Sequence, residues 1–548
     1  MIKRARSPIW LVAVGSVWLA VSGSGPLWRR LSALEQLQSV ADFLFAFSLL
    51  GLISACLASV LSLFAWRQTL KPAITVLLCI TALASHFMTS YGVVIDTSML
   101  INVMQTDTAE ASAFLDGHLL TRLMLMAVVP AIFVWLQPID YGTMRRQLWK
   151  NPFVALCALV IVVAVILSGF QRLASTMRNH KDLRYLLNPL ASMYGLARMA
   201  MGPLERDEST IVPIALDAGQ AGRTNEGNST PIRPRLLLLV LGETARSANF
   251  SLNGYERPTT TALEQQGVVS FTNVWSCGTS TAESLPCMFS HLSRHEFGVR
   301  KVNYENLLDV LQRAGLAVLW LDNQSGCKGV CDRVPHVSTG KSVDSDLCKD
   351  NECQDGILLS GLDERLAALD PARRARGTVI VMHQMGSHGP AYFRRSPEKF
   401  KTFHPECTTS ALQVCSRDMV LNAYDNSIVY TDHFLSSAID WLRHKAPQAD
   451  GAMLYVSDHG ESLGESNLYL HGLPYAIAPD VQKHIPWVTW MSAQFEESLG
   501  ISLECLGRQR HLRVTHDNYF HSILGLMDVS TSVYETELDA YALCRKRL

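Results

Sequence analysis

Five apolar runs, all before residue 171, set the first limit on what this chain can fold into. They span about Ile9–Leu27, Asp42–Trp66, Pro72–Ile95, Leu123–Leu136 and Pro152–Phe170. Each approaches the ~20 residues an α-helix needs to cross ~30 Å of hydrocarbon, although the fourth is short. No comparable run follows Met201, where the mixture of residues is that of an ordinary globular domain. The 548 residues therefore predict a membrane domain joined to a globular one. The expected boundaries are 1–170 for a transmembrane domain of five helices, 171–234 for interfacial bridging helices and a linker, and 235–548 for the globular domain.

Charge orients the membrane domain, because Lys and Arg accumulate in cytoplasmic loops. Lys3, Arg4 and Arg6 precede the first run, Arg67 and Lys71 separate the second and third, and Arg145, Arg146 and Lys150 separate the fourth and fifth. The opposite loop, 96–117, contains neither Lys nor Arg. With a cytoplasmic N-terminus, five crossings deliver the globular half outside. Arg29 and Arg30, after the first run, break the pattern. A cleaved signal peptide is the alternative for the first run, but no small-residue cleavage site follows it, and an uncleaved anchor is expected. From 171 to 201 Arg172, Arg178, Lys181 and Arg184 sit among Leu, Met and Tyr, as in a helix lying on a membrane surface. The Gly/Thr/Asn/Ser/Pro-rich stretch 217–234 reads as a flexible linker. A formal net charge of -1 provides no basic field for a nucleic-acid partner. Asn102, Thr106 and Glu110, at i, i+4 and i+8, would share one face of a helix. That stripe suits a lipid head group and equally the solvated side of an interfacial helix.

Cys56, Cys79 and Cys157 fall inside apolar runs, and the other ten cysteines fall in the globular half. Pairing by proximity gives 277–287, 327–331, 348–353 and 407–415, leaving Cys505 with Cys544, although sequence does not determine connectivity. A zinc cluster competes at Cys327 and Cys331, but a regular ligand quartet is missing. Disulfides are the expected use, which places this half in an oxidising compartment.

The globular half carries strand-length apolar runs at Leu236–Leu241, Leu316–Leu321, Thr378–Met382, Ala452–Val456 and Ile485–Trp490, separated by helical patterns. That alternation predicts an α/β domain around a mostly parallel central sheet, with ligands at the carboxyl ends of the strands. After the runs come Glu243; Asp322 to Ser325 with Lys328; His383 and His388; and Asp458-His459 with His471 beyond. Asp458 and His459 offer mixed oxygen and nitrogen donors that suit zinc. Glu243 and the Thr281 oxygen would complete a set of four, with His388 and His471 left for a second metal or for phosphate contacts. Thr281 lies in Ser276–Cys287, a run of small hydroxylated residues between two cysteines. A hydroxyl at a helix N-terminus beside a metal is a candidate nucleophile. His516-Asp517-Asn518 reads as the start of a helix.

The motifs Gly242-Glu243-Thr244-Ala245-Arg246, Cys277-Gly278-Thr279-Ser280-Thr281, His383 to Pro390 and Tyr455 to Ser462 closely resemble those of the phosphoethanolamine–lipid A transferases of the EptA and mobile colistin-resistance type. The likeness covers nearly the whole chain. It implies an alkaline-phosphatase/sulfatase-like periplasmic domain on a bacterial inner membrane, and an enzyme expected to act as a monomer. It implies Thr281 as nucleophile, one tight zinc held by Glu243, Thr281, Asp458 and His459, and a possible second zinc or lipid-phosphate contacts at His388 and His471. His383 joins the site by its motif position. Asn102, Thr106, Glu110, Ser325 and Lys328 would handle the phosphoethanolamine head group. Family members often have a tyrosine where this chain has Glu283, which leaves acceptor preference open.

The reaction expected from this resemblance is ping-pong transfer of phosphoethanolamine from phosphatidylethanolamine, through Thr281, to a lipid A phosphate, which would lower affinity for polymyxins and cationic peptides. The alternatives are the same chemistry on another envelope acceptor (core sugar, periplasmic glucan or surface glycan) or a membrane-bound phosphatase- or sulfatase-type hydrolase.

Overall fold

The computed structural model describes residues 5–34, 39–106, 111–112, 114–205, 207–220, 233–339, 346–349 and 352–546. They form two compact units, Met1–Ile101 with Phe114–Met201, and Asn102–Ala113 with Gly202–Leu548.

The first unit is helical. Its long elements are α1 (Pro8–Gly23), α2 (Gly25–Ala33), α3 (Val40–Leu63), α4 (Leu70–Ser90), α5 (Gly117–Leu136) and α6 (Met144–Ser168). Four of these are long and apolar enough to cross a membrane, or five crossings if α1 and α2, bent by 48°, count as one. The first apolar run is thus a broken helix. The break falls at Gly23-Ser24-Gly25-Pro26, where proline at the start of α2 suits a new helix better than a continuing one. Asn188 braces the break by donating to the Gly23 and Thr81 carbonyls at 3.4 and 3.0 Å. The fourth run is longer than expected, because α5 begins before the polar His118, Thr121 and Arg122. The fifth also begins early, at Met144, so Arg145, Arg146 and Lys150 lie on the helix rather than in a loop. Helices Phe170–Asn179 and Leu190–Glu205 follow α6.

The second unit is built on an eight-stranded sheet. Its strands are β1 (Arg235–Gly242), β2 (Val269–Trp275), β3 (Ala317–Asp322), β4 (His336–Ser338), β5 (Thr378–His383), β6 (Asp450–Ser457), β7 (His484–Met491) and β8 (Val514–Thr515), in the order β8-β2-β7-β6-β1-β5-β3-β4. The stretch β6-β1-β5-β3-β4 is parallel, while β7 runs antiparallel to both β6 and β2. The five expected strands are therefore present, but β7 is not parallel and three more strands join. β1, β3, β5 and β6 are buried along their whole length, as strands covered on both faces must be. Leu237, Leu239 and Leu241 join a core with Leu307, Trp320, Trp487 and Tyr519. On the other face, Gly451 of β6 abuts Leu442 of α8 (Arg417–Lys445), the longest helix described here.

Gly219–Gln220, inside the stretch 217–234 expected as a flexible linker, pairs with Val529–Ser530, and ahead of that stretch Asp207–Val212 pairs with Val302–Tyr304. Five disulfides join 277–287, 327–331, 348–353, 407–415 and 505–544.

Candidate active site and metal centre

Parallel register brings the chemistry to one end of the sheet. Leu241, His383 and Asp322 lie side by side across β1, β5 and β3, and Gly242 pairs with Ser457 on β6. Glu243, Asp458 and His459 therefore leave adjacent strand ends. Thr281 arrives from elsewhere, as the first residue of α7 (Thr281–Met288), with Ser280 as its N-cap. The chain turns sharply at each approach. Thr244 sits at φ 54°, a strained value for a β-branched residue. Gly386, at φ 55°, lies so close to β1 that a Cβ there would come within 2.7 Å of the Glu243 carbonyl.

The Thr281 hydroxyl lies 3.1 and 3.0 Å from the two Glu243 carboxylate oxygens and 3.4 Å from His459 Nε2. His459 Nε2 lies 3.4 Å from Glu243 and 3.3 Å from Asp458. Its Nδ1 faces the Gly460 carbonyl at 2.9 Å, an arrangement that puts the proton on Nδ1 and aims the Nε2 lone pair into the site. All four residues are buried.

These residues fit a divalent cation. Glu243, Asp458 and His459 each present a ligand atom within 4.8 Å of the others. Asp458 Oδ2 and His383 Nε2 are buried and have no hydrogen-bond partner. Burial opposes ionisation of Glu243, yet the His459 hydrogen bond and the neighbouring histidines hold its carboxyl well below the usual range. Burial and the Glu243 charge push Asp458 up to about 6. Burial also works against a charged His459, but Asp458 and Glu243 raise it to about 10. Two buried carboxylates facing one imidazole leave excess negative charge that a bound cation would balance.

The remaining expected residues divide. His383 Nδ1 pairs with Asp322 at 3.1 Å, and its Nε2 lies 3.9 Å from Glu243. His471 pairs through Nδ1 with Glu461 at 2.9 Å, and its ring centroid is 4.3 Å from that of His459 and 5.4 Å from that of His388. Burial holds His388 down to about 3. Lys328 donates to Ser325 Oγ at 3.0 Å and to the Gln105 carbonyl at 3.3 Å; both partners belong to the same compact unit. Asn102 lies on helix Thr97–Gln105, whereas Thr106 follows its end and donates back to the Asn102 carbonyl at 2.9 Å. Glu110 lies outside the described residues, so the expected three-residue helical stripe is seen only in part.

Sequence reasoning passed over four supporting residues. Gln324 donates to Glu243 at 3.0 Å, Asp322 orients His383, and Glu461 orients His471. His516 Nδ1 accepts from the Cys277 amide at 3.0 Å while its Nε2 faces the Ser457 carbonyl at 3.0 Å, tying the threonine loop to β6. The acidic partners were visible at strand ends, whereas His516 read as the start of a helix, which it is, at the N-cap of Asp517–Leu526, and its link to the threonine loop is tertiary.

Fold and site together define a sulfatase-type domain carried on a membrane unit: residues 235–529 match the family model described as Sulfatase, and residues 53–203 match the one described as Phosphoethanolamine transferase EptA/EptB. The chain is 37% identical to phosphoethanolamine transferase EptA of Escherichia coli strain K12, over 94% of this chain and 92% of that one. It is 36% identical to phosphatidylethanolamine transferase Mcr-1 of Escherichia coli, over 96% of each. The integral membrane protein lipooligosaccharide phosphoethanolamine transferase A of Neisseria meningitidis superposes with a TM-score of 0.91 at 32% identity, over 99% of both chains. The chain belongs to the EptA phosphoethanolamine transferase family.

Proposed function

We propose that this protein transfers phosphoethanolamine from phosphatidylethanolamine to a phosphate of lipid A, through a covalent intermediate on Thr281. The observation that carries this reading is the buried Thr281 hydroxyl, within 3.0–3.4 Å of Glu243 and His459 at the start of a helix. A buried threonine between a carboxylate and an imidazole is built for nucleophilic work.

Glu243, Asp458, His459 and the Thr281 oxygen would hold zinc, which when bound would lower the pKa of the threonine hydroxyl and offset charge on the phosphoryl group. The Thr281 oxygen attacks phosphorus as its proton leaves. The bond to the diacylglycerol oxygen breaks, and that oxygen takes up the proton given up by Thr281. A lipid A phosphate oxygen then attacks the phosphothreonine in line, and the threonine hydroxyl is restored. His388 and His471 are assigned to phosphate oxygens, a reading supported by the nearness of the His471 ring to those of His459 and His388. His383 is oriented toward Glu243 by Asp322. Because the Ser280 side chain makes no capping bond, the first amides of α7 can also face the phosphoryl oxygens. Ser325, Lys328, Asn102, Thr106 and Glu110 are assigned to the phosphoethanolamine head group. In this reading the N-terminus is cytoplasmic and the catalytic unit lies in the periplasm of a bacterium with an inner membrane. The added ethanolammonium reduces negative surface charge and with it the affinity for polymyxins and cationic peptides.

Mass spectrometry of lipid A from a Gram-negative host expressing the parent or Thr281→Ala tests the proposal. A phosphoethanolamine mass increment present only with the parent is expected. Full transfer by Thr281→Ala would overturn the covalent mechanism, and an increment on another glycan alone would move the acceptor away from lipid A.

A further inference from the structure

Arg29 and Arg30 break the charge rule that orients the membrane unit, and pairing within the protein accounts for only one of them. Arg30 Nε lies 2.6 Å from the Asp182 carboxylate. Arg29 has no carboxylate partner among the described residues; its guanidinium donates to Thr89 Oγ1 at 2.8 Å. A second arginine without a carboxylate partner among the described residues, Arg122 of α5, donates to the Ser85 carbonyl at 3.0 Å. Ser85 and Thr89 stand at i and i+4 on α4, so the Ser85 main-chain carbonyl and the Thr89 hydroxyl lie within one turn of each other. Guanidiniums from two helices are thus anchored over one turn of a third. Each uses one of its five N–H donors in these bonds, and the others meet no acceptor among the described residues and can serve a ligand.

Among the described acids at this end of the unit, none pairs with Arg29 or Arg122, although Asp116 Oδ2 is buried without a hydrogen-bond partner. Asp116 caps α5 by accepting from the Leu119 amide at 2.7 Å, Asp96 accepts from Ser98 and Met99 at 2.9 Å, and Asp182 holds Arg30. Arg122 is the sixth residue of α5, about 8 Å along the axis from its start, a depth nearer the head groups than the mid-plane. Successive crossings put the end of α4, the start of α5 and the end of α6 at one membrane face, the face from which the chain continues to the catalytic unit.

Arginines near the end of a span ordinarily snorkel apart into water. Here fixed anchors within one helix turn hold two of them close, an arrangement that costs energy unless an anion bridges them. Phosphate esters accept paired N–H bonds from guanidinium groups, and lipid head groups are the phosphates present at this depth. We propose that Arg29 and Arg122 form a binding site for the phosphate of a membrane lipid. Two cations without a carboxylate partner favour a lipid of net negative charge over a zwitterionic one.

The test uses the full chain carrying Thr281→Ala, so that binding is read without turnover and stands apart from the transfer reaction. Native mass spectrometry would record lipid retained from maltoside micelles, which contain no phosphate, doped in turn with phosphatidylglycerol, phosphatidylethanolamine or lipid A. Retention of at least one of these lipids is expected to fall about tenfold in Arg29→Gln/Arg122→Gln and only partly in Arg29→Lys/Arg122→Lys. Arg30→Gln, which removes a guanidinium already paired, should leave retention unchanged. The lipid affected names the source: donor if phosphatidylethanolamine, acceptor if lipid A, a bilayer anchor if phosphatidylglycerol alone. An unchanged melting temperature of the double glutamine variant verifies its fold. Equal retention of all three lipids by that variant and the parent, or an equal loss on Arg30→Gln, would overturn the site.

Discussion

Thr281, Glu243 and Asp458 differ in what their replacement should do. Thr281→Ala removes the nucleophile and one of the four assigned zinc donors, and should cost roughly 10³-fold or more in transfer, with a smaller loss of zinc than removal of a carboxylate donor. Glu243→Gln and Asp458→Asn strip charge from the cation site and should lower both transfer and zinc content, read by elemental analysis of the purified variants. Normal zinc in either variant would remove that residue from the metal site. His516 supports a pH prediction. Burial holds its folded pKa at about 3, below the ordinary 6.5. As pH falls below 6.5, the unfolded chain takes up a proton at this imidazole that the folded chain refuses. Stability from this residue is therefore complete above pH 6.5 and is lost progressively as pH falls toward about 3. His516→Gln should flatten the dependence of melting temperature on pH across that window, and an unchanged slope would show that other groups set it.

The element that positions the nucleophile is α7, and the 277–287 bridge closes the loop around its start. Removing both cysteines, as Cys277→Ser/Cys287→Ser, should cost about 2–3 kcal/mol by the loop-closure argument and lower kcat more than it raises KM. A variant of reduced stability with full kcat would show that the bridge serves the fold alone. Gly386→Ala tests how closely β1 and β5 approach. The added Cβ would press on the Glu243 backbone, and the residue would sit at a positive φ, so transfer should fall sharply with little change in membrane insertion. At this scale the buried strands were legible because strands covered on both faces read as unbroken apolar runs. β2 was not, since its Ser270, Thr272 and Asn273 interrupt the run. The span starting at Gly117 was masked by Arg122 and its polar neighbours, whose hydrogen bonds to α4 are tertiary.

For the whole molecule, a chelator should abolish transfer and lower the melting temperature of the catalytic unit, because an ion bound only by the folded state stabilises it by mass action. Restored zinc should reverse both effects, and activity that survives metal removal would sink the zinc reading. The division into a membrane unit and a globular unit was determined by the sequence alone. Crossing a bilayer demands long apolar helices, and no packing arrangement can supply them from elsewhere. The same holds for the buried parallel strands and for the acids and histidines at their ends. The tertiary structure decided which of those groups meet. Thr281 and His459 are 178 residues apart, and only the order of the strands and the placement of α7 bring their side chains to 3.4 Å. Tertiary packing likewise paired Arg30 with Asp182, 152 residues away, and set Arg29 and Arg122 on one turn of α4. Local pattern reports what a segment buries or exposes, whereas a site depends on distances between segments, which exist only once the chain has packed.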